Sequence, residues 1–237
     1  MLKIISYNIH SGVGTDEKFS YARIGKFLAS QDADIVCLQE MDLRDPKLDK
    51  AEQIQALLAG HFTEFIPSPA VVTDHGYYGN AILSRVKKLQ SRSVDISVES
   101  RQPRNIQDVL FDFGSQKLRV LNTHKGLKQY ERMAQFEQLE NVVDEILNEQ
   151  TETGHIPLLV TGDFNEWQFF PKSLKRINKK LHAHKLGATF PSKFPLFKLD
   201  RFWSKPAHIV HRAGILKTPE TRYFSDHYPI FAELSLL

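Results

Sequence analysis

The spacing of apolar residues changes character at Gly60, and that change restricts the fold more than any other feature of the chain. Before it, strand and helix signals alternate. Leu2 to Ile9, built around Ile4, Ile5 and Tyr7, reads as a strand that runs out into the turn formers Ser11-Gly12-Val13-Gly14-Thr15-Asp16. Ser20 reads as an N-cap ahead of Ile24, Phe27 and Leu28, and the apolar run Ile35 to Leu38 is a second strand that delivers Gln39 and Glu40. A second helix fits Lys50 to Ala59, with Ile54, Leu57 and Leu58 on one face and Gly60 as its stop.

After Gly60 the signals are strands: Ala81 to Ser84, Val94 to Val98, Ile106 to Phe113 and Leu118 to Asn122, divided by turn formers that include Pro103 and Gly114. Met133, Phe136, Leu139, Val143, Ile146 and Leu147 then mark a long amphipathic helix. The buried strand Pro157 to Val160 follows and delivers Gly162-Asp163-Phe164-Asn165 to its exit loop. A basic helix near Lys172 to His182 and short strands at Leu199 to Trp203 and Tyr228 to Leu234 complete the reading. Strands that are partly parallel and partly in hairpins, interleaved with helices, predict an α/β fold of two packed sheets covered by helices. With 237 residues, 41% of them hydrophobic, and no linker or repeat, residues 1–237 are expected to form one domain.

Composition excludes several classes. The balance of 31 Lys+Arg against 28 Asp+Glu is too even to require a polyanionic partner. A single cysteine, Cys37, leaves no disulfide framework and no Cys-rich zinc module. No apolar stretch approaches the roughly 18 to 20 residues of a membrane span, and Met1-Leu2-Lys3 leads into a strand without a signal-peptide pattern. The expectation is a soluble, cytoplasmic protein with no integral membrane segment. Ser225-Asp226-His227 has the residue types of a triad, but neighbours in an extended segment point apart and no Gly-x-Ser-x-Gly elbow exists. Gly12-Val13-Gly14 lacks the third glycine of a dinucleotide fingerprint, and no Gly-Lys-Ser/Thr phosphate loop is present.

Polar residues stand at one end of five expected strands: Asn8, Glu40, His124, Asp163 with Asn165, and Asp226 with His227. Side chains leaving neighbouring strands at one sheet edge can converge with the precision that catalysis needs. Hydrolysis of a phosphodiester requires a cation on a non-bridging oxygen, a base for the water, and donors for the growing charge. Glu40, Asn8 and Asp226 are hard oxygen ligands suited to Mg²⁺, Asp163 is a candidate base, His124 and His227 can donate hydrogen bonds, and Asn165 can orient water or oxyanion.

These residues, with their flanks, resemble the metal-dependent endonuclease/exonuclease/phosphatase superfamily, which includes DNase I-like nucleases, abasic-site endonucleases, sphingomyelinases and inositol-polyphosphate phosphatases. The resemblance is carried in order by Ser6-Tyr7-Asn8-Ile9-His10, Leu38-Gln39-Glu40, Gly79-Asn80-Ala81-Ile82-Leu83-Ser84, Asn122-Thr123-His124, Gly162-Asp163-Phe164-Asn165, Leu199-Asp200-Arg201 and Ser225-Asp226-His227. It implies a four-layer α/β/β/α sandwich with two mixed sheets. It also implies Mg²⁺, with Mn²⁺ as a substitute, at Glu40 with Asn8 and Asp226; water activation by Asp163 beside Asn165; phosphate contacts from His124 and His227; and Asp200 orienting His227. Arg104 resembles a position where relatives place an arginine towards the phosphate, and Asn80 lies in a family motif. His10 stands where abasic-site enzymes carry an aspartate near the metal, and Lys125 adds a cation beside the expected site. The implied activity is a phosphodiesterase acting on a nucleic acid or a phospholipid-type headgroup. A phosphomonoesterase for a small phosphorylated molecule and a catalytically idle phosphate-binding module are the alternatives.

Two further features bear on substrate. Lys172, Lys175, Arg176, Lys179, Lys180 and Lys185 form a basic run that could meet a phosphate backbone or an anionic lipid surface, or be an ordinary solvated helix face. Tyr77, Tyr78, Trp167, Phe169 and Phe170 lie near the motif loops, where stacking and core packing are both open.

Overall fold

The computed structural model describes residues 1–153, 155–168, 171 and 173–236, and the side chains of all of these except 150–153. The first half of the chain runs β1 (Leu2–Asn8), α1 (Tyr21–Ser30), β2 (Ile35–Asp42), α2 (Lys50–Leu58), β3 (Glu64–Thr73), β4 (Gly76–Ser84), β5 (Lys88–Asp95), β6 (Asn105–Asp112) and β7 (Lys117–His124). The second half runs α3 (Gln129–Thr153), β8 (Leu158–Asp163), α4 (Leu174–Lys180), β9 (His182–His184), β10 (Asp200–Lys205), β11 (Val210–Ile215), α5 (Thr221–Phe224) and β12 (Ile230–Leu234). The strands form two six-stranded sheets, ordered β11-β12-β1-β2-β4-β3 and β5-β6-β7-β8-β10-β9. Each is mixed: β1 with β2 and β7 with β8 are parallel, and the other pairings are antiparallel.

Strand alternation assigns each side chain to one of three apolar layers. Ile5, Tyr7, Val36, Leu38 and Leu83 face outwards from the first sheet and pack on Ile24, Phe27, Leu28 and Leu57 of α1 and α2. Leu121, Leu158, Val160 and Trp203 face outwards from the second sheet onto Phe136, Leu139, Val143, Ile146 and Ile177 of α3 and α4. The alternate residues, including Ile4, Cys37, Ile82, Val109, Val120, Leu159 and Phe202, meet between the sheets. This is the expected four-layer α/β/β/α sandwich.

The inner layer becomes polar towards one end. Gln39 Nε2 donates to Ser6 Oγ at 3.1 Å and to Asn122 Oδ1 at 2.7 Å, and Asn122 Nδ2 in turn donates to the Leu38 carbonyl at 3.0 Å and to Gln107 Oε1 at 3.1 Å. Asn105 Nδ2 crosses to the carbonyls of Ser68 and Pro69, and Gln107 Nε2 to that of Ile66. These amides fix the lateral register of one sheet on the other, which apolar contact alone does not do.

Several elements differ from the sequence reading. β3 has no counterpart in it because Pro67 and Pro69 break the strand signal; the strand is tolerated because it lies at a sheet edge, where a missing N–H costs no ladder bond. β5 ends at Asp95, whereas the expected strand began at Val94, because its exposed residues carry no apolar alternation. The short edge strands β9 and β11 were also unexpected. Met133, assigned to the apolar side of the long helix, is exposed. Phe169, Phe170 and Lys172 lie outside the described residues.

Asn122→Ala removes a fully buried amide and leaves Gln39, Gln107 and the Leu38 carbonyl without their partner. The expected loss is about 3 kcal/mol, read as a lower urea midpoint with an unchanged m-value.

Candidate active site

The strand ends that carry the expected site residues all lie at one end of the sandwich. β1, β2, β7 and β8 run towards it, and β4, β6, β10 and β12 run away from it. On β1, Ile4 and Ser6 face the space between the sheets, so Asn8 does too. The same parity carries Val120 and Asn122 to His124, Leu159 and Thr161 to Asp163, and Phe202 to Asp200.

Glu40 breaks the parity by means of a bulge. Leu38 pairs with Ala81 and Met41 with Gly79, so Gln39 and Glu40 together oppose Asn80 alone. Glu40 sits in the left-handed region at φ 57°. A non-glycine residue there costs about 1 kcal/mol or more. A regular strand would send the Glu40 side chain to the helix face after the inward Gln39. The bulge instead brings it to Asn8, whose Nδ2 donates to Glu40 Oε1 at 2.9 Å.

The same Asn8 Nδ2 donates to Asp163 Oδ2 of the other sheet at 3.0 Å. Around that carboxylate oxygen stand His124 Nε2 at 3.5 Å and His227 Nε2 at 3.6 Å. The other oxygen, Oδ1, accepts the backbone N–H of Asn165 at 2.9 Å in an Asx-type turn, with Asn165 at φ 47°. Gly162, just before Asp163, has φ 143°, and a Cβ there would lie 1.9 Å from the Thr123 carbonyl oxygen, so only glycine lets β8 approach β7 this closely.

Electrostatics separates the two histidines. His227 Nδ1 donates to Asp200 Oδ2 at 2.9 Å. Burial opposes charge on His227, but Asp200 and Asp163 on either side outweigh it and raise its pKa to about 10. His124 is held well below the usual histidine range by burial, with Arg104 and His227 adding to the effect. It is neutral near pH 7, and its Nε2 accepts from Asn165 Nδ2 at 3.1 Å. Burial raises Asp163 above the ordinary carboxylate range, while the His227 cation acts in the opposite direction.

Arg104 is 6% exposed, its guanidinium stands 5.9 Å from the Tyr78 ring, and its Nε has no partner. Tyr78 thus lines the site and also takes Arg44 over its ring at 4.9 Å, whereas Tyr77 packs into the first-sheet core. Asn80 Nδ2 donates to Asn105 Oδ1 at 2.9 Å, bracing β4 against β6. Asp226 lies at the rim, its side chain 32% exposed, with His10 Nδ1 3.8 Å from its Oδ1. His10 also donates its backbone N–H to Asn8 Oδ1 at 3.0 Å.

One expectation fails, and one open reading is settled for α4. Lys125 does not face the cleft: it follows His124 on the strand, so its side chain leaves the opposite face. It is fully buried 4.8 Å from the Phe136 ring, donating from Nζ to the Gln135 carbonyl at 2.8 Å. The basic helix lies on the outer face of the second sheet, where Arg176 pairs with Glu140 at 2.6 Å and Lys180 with Asp144 at 2.5 Å.

A buried brace was not foreseen. Glu166 Oε1 lies 3.6 Å from Arg132 Nη2, and Glu166 Oε2 accepts from Ser173 Oγ at 2.6 Å, tying the Asn165 loop to α3. Charged residues carry no periodicity signal, so nothing local marks the pair.

Among the described residues one group of carboxylate and histidine ligand atoms is close enough to share a cation. Asp163, Asp200 and His227 bring ligand atoms within 4.8 Å of one another. Glu40, Asn8 and Asp226 offer oxygen donors, with Glu40 and Asp226 partly open to solvent.

Comparison with known proteins places this arrangement among others. Residues 5–227 match the model of the Endonuclease/Exonuclease/phosphatase family. The uncharacterized protein YbhP of Escherichia coli K12 is 29% identical over 99% of this chain and 96% of its own length. The mannosyl-6-phosphatase Bt3783 of Bacteroides thetaiotaomicron superposes with a TM-score of 0.75 at 21% identity, covering 100% of both chains. D. rerio TDP2, in a complex with single strand DNA product, gives 0.71 at 22% identity over 99% of both.

The placement of Lys125 has a pH signature. Burial pushes its pKa down to about 7, from the ordinary 10.5 of the unfolded chain. The unfolded state then binds more protons between these values, so this residue's penalty is full below about pH 7 and fades as pH rises towards 10.5. Lys125→Met is expected to remove that pH dependence. Urea denaturation at pH 6 and pH 9 should show a gain relative to wild type that is larger at pH 6.

Proposed function

The chain belongs to the Endonuclease/Exonuclease/phosphatase family, a family of phosphoric ester hydrolases, and from that premise we propose that it hydrolyses a phosphodiester by in-line attack of water. The observation that carries the reading is the Asp163 carboxylate, buried where the two sheets meet, with Asn8, His124 and His227 all within 3.6 Å of Oδ2. Burial raises its proton affinity, which suits a general base working near neutral pH. Asn8 and the Asn165 N–H hold the carboxylate so that one orientation meets the attacking water. The His227 cation, kept charged by Asp200, stabilises negative charge as it grows on the phosphoryl oxygens. Arg104, a buried guanidinium with an unpartnered Nε, receives the phosphate from the other side. Neutral His124 keeps a hydrogen-bonding ring beside the same group and is fixed by Asn165.

The donor set fits Mg²⁺, with Mn²⁺ as a substitute, at Glu40 with Asn8 and Asp226: all three offer hard oxygens, and two are open enough to leave room for water. Asp163, Asp200 and His227 fit it less well, since an imidazole nitrogen is a softer ligand than the oxygens Mg²⁺ takes. The ion, when bound, supplies a Lewis acid for a non-bridging phosphate oxygen. The proposed substrate is a nucleic acid or a phospholipid-type headgroup. No described helix is long and apolar enough to cross a membrane, and the proposed setting is cytoplasmic.

Nicking of supercoiled plasmid in Mg²⁺ or Mn²⁺ tests the reading. Activity is expected to vanish with EDTA and to fall by about 10³-fold in Asp163→Asn, with the thermal midpoint retained. Undiminished nicking by that variant rejects the assigned base. No nicking by folded, metal-binding protein excludes duplex DNA and shifts the substrate to a single-stranded nucleic acid, a lipid or a small-molecule ester.

A further inference from the structure

Among the described residues four arginines, Arg101, Arg104, Arg201 and Arg222, form no ion pair with a carboxylate, and two of them, Arg101 and Arg104, stand three residues apart on the loop between β5 and β6. The loop is pinched at its base, where the Ile96 N–H donates to the Arg104 carbonyl and the Arg104 N–H to Ser97 Oγ. It turns at its tip, where the Arg101 N–H donates to the Val98 carbonyl. One guanidinium therefore sits in the cleft and the other at the tip, across the end of β7 from the start of α3. There the Arg101 guanidinium lies 5.3 Å from the Tyr130 ring centroid and its Nε donates to the Tyr130 hydroxyl.

Tyr130 is in the first turn of α3, six residues beyond His124, and is 53% exposed. Its neighbours strengthen the case. Leu127 and Met133 are exposed by 62% and 58%, and Lys128 is exposed as well. Among the described residues no ion pair joins Arg101 or Lys128 to a carboxylate, and the neighbouring Glu131 is buried, accepting from the Lys128 N–H and Gln135 Nε2. A half-exposed aromatic ring under an unpaired guanidinium, next to a hydrolytic centre, combines a stacking face with an anion receptor.

Resting on the phosphodiesterase reading above, we propose that the substrate is a single-stranded nucleic acid and that Arg101, Lys128 and Tyr130 form a subsite for a nucleotide flanking the scissile phosphate. Arg101 and Lys128 hold its phosphate and Tyr130 stacks on its base. Three residues of extended chain span at most about 10 Å, so a phosphate neighbouring the one at Arg104 falls within reach of Arg101. Stacking on Tyr130 requires a base free of its complement, which favours a single strand over a duplex. A duplex would also need a broad basic face, and on α4, the strongest candidate, two of the four cations, Arg176 and Lys180, are committed to acidic residues of α3.

Kinetics in Mg²⁺ with two substrates tests this: a single-stranded oligonucleotide, and bis(4-nitrophenyl) phosphate, which has no flanking phosphate or nucleobase. Arg101→Ala and Tyr130→Ala are each expected to raise KM for the oligonucleotide roughly 10-fold, to leave kcat within about twofold, and to leave the small diester unaffected. Tyr130→Phe keeps the ring and should stay close to wild type. An equal loss on both substrates, or an unchanged oligonucleotide KM, overturns the subsite. An effect of Arg101→Ala without one of Tyr130→Ala overturns the nucleotide and points to a polyphosphorylated small molecule. Wild-type cleavage of the diester but not the oligonucleotide overturns this inference and leaves the phosphodiesterase reading standing, whereas cleavage of neither overturns both.

Discussion

The hydrogen bonds of one amide hold this site together. Asn8 Nδ2 is shared between Glu40, on its own sheet, and Asp163, on the other, at 2.9 and 3.0 Å. The two carboxylates would repel each other if the sheets slid together without a donor between them. A buried anion that accepts a hydrogen bond is far less costly than one left bare. The amide network behind it, through Gln39, Asn122 and Gln107, keeps the sheets from sliding at all. Apolar packing between the sheets supplies cohesion, while these directional bonds decide the register in which the two half-sites meet.

Strain is concentrated at the same end. Glu40 at φ 57° and Asn165 at φ 47° both adopt left-handed backbone beside the cleft, and both place a polar side chain where a regular strand or turn would not. Such conformations persist only where neighbouring structure enforces them. Here the antiparallel ladder to β4 enforces the bulge at Glu40, and the Asp163 carboxylate, by accepting the Asn165 N–H, enforces the turn. The carboxylate proposed to activate water therefore also shapes the loop that presents its neighbour.

Much of this was legible in the chain because strand periodicity is local. The order of β1, α1, β2 and α2, the Ser20 cap and the long α3 follow from spacing and turn residues. β3 was not legible, since its prolines deny a strand to any local reading and only its position at a sheet edge admits them. Lys125 shows the opposite failure. The period of two that places His124 in the cleft also sends the next side chain to the helix layer, yet proximity in sequence suggested a shared site. The basic run on α4 was ambiguous for a different reason: whether its cations are free depends on the acids of α3, which lie more than thirty residues away in the chain.

By itself, then, the sequence determined which residue types stand at the strand ends and in what order, because hydrophobic periodicity and turn chemistry act over a few residues. It determined the sandwich through the mixture of alternating and consecutive strands. Only the tertiary structure decided that Asn8 meets Asp163 across 155 residues, that Glu40 is turned inwards by a bulge, and that Arg101 meets Tyr130 while Arg104 stands over Tyr78. Those outcomes depend on which strands pair and how two sheets register, and that choice is made by contacts between segments distant in the chain.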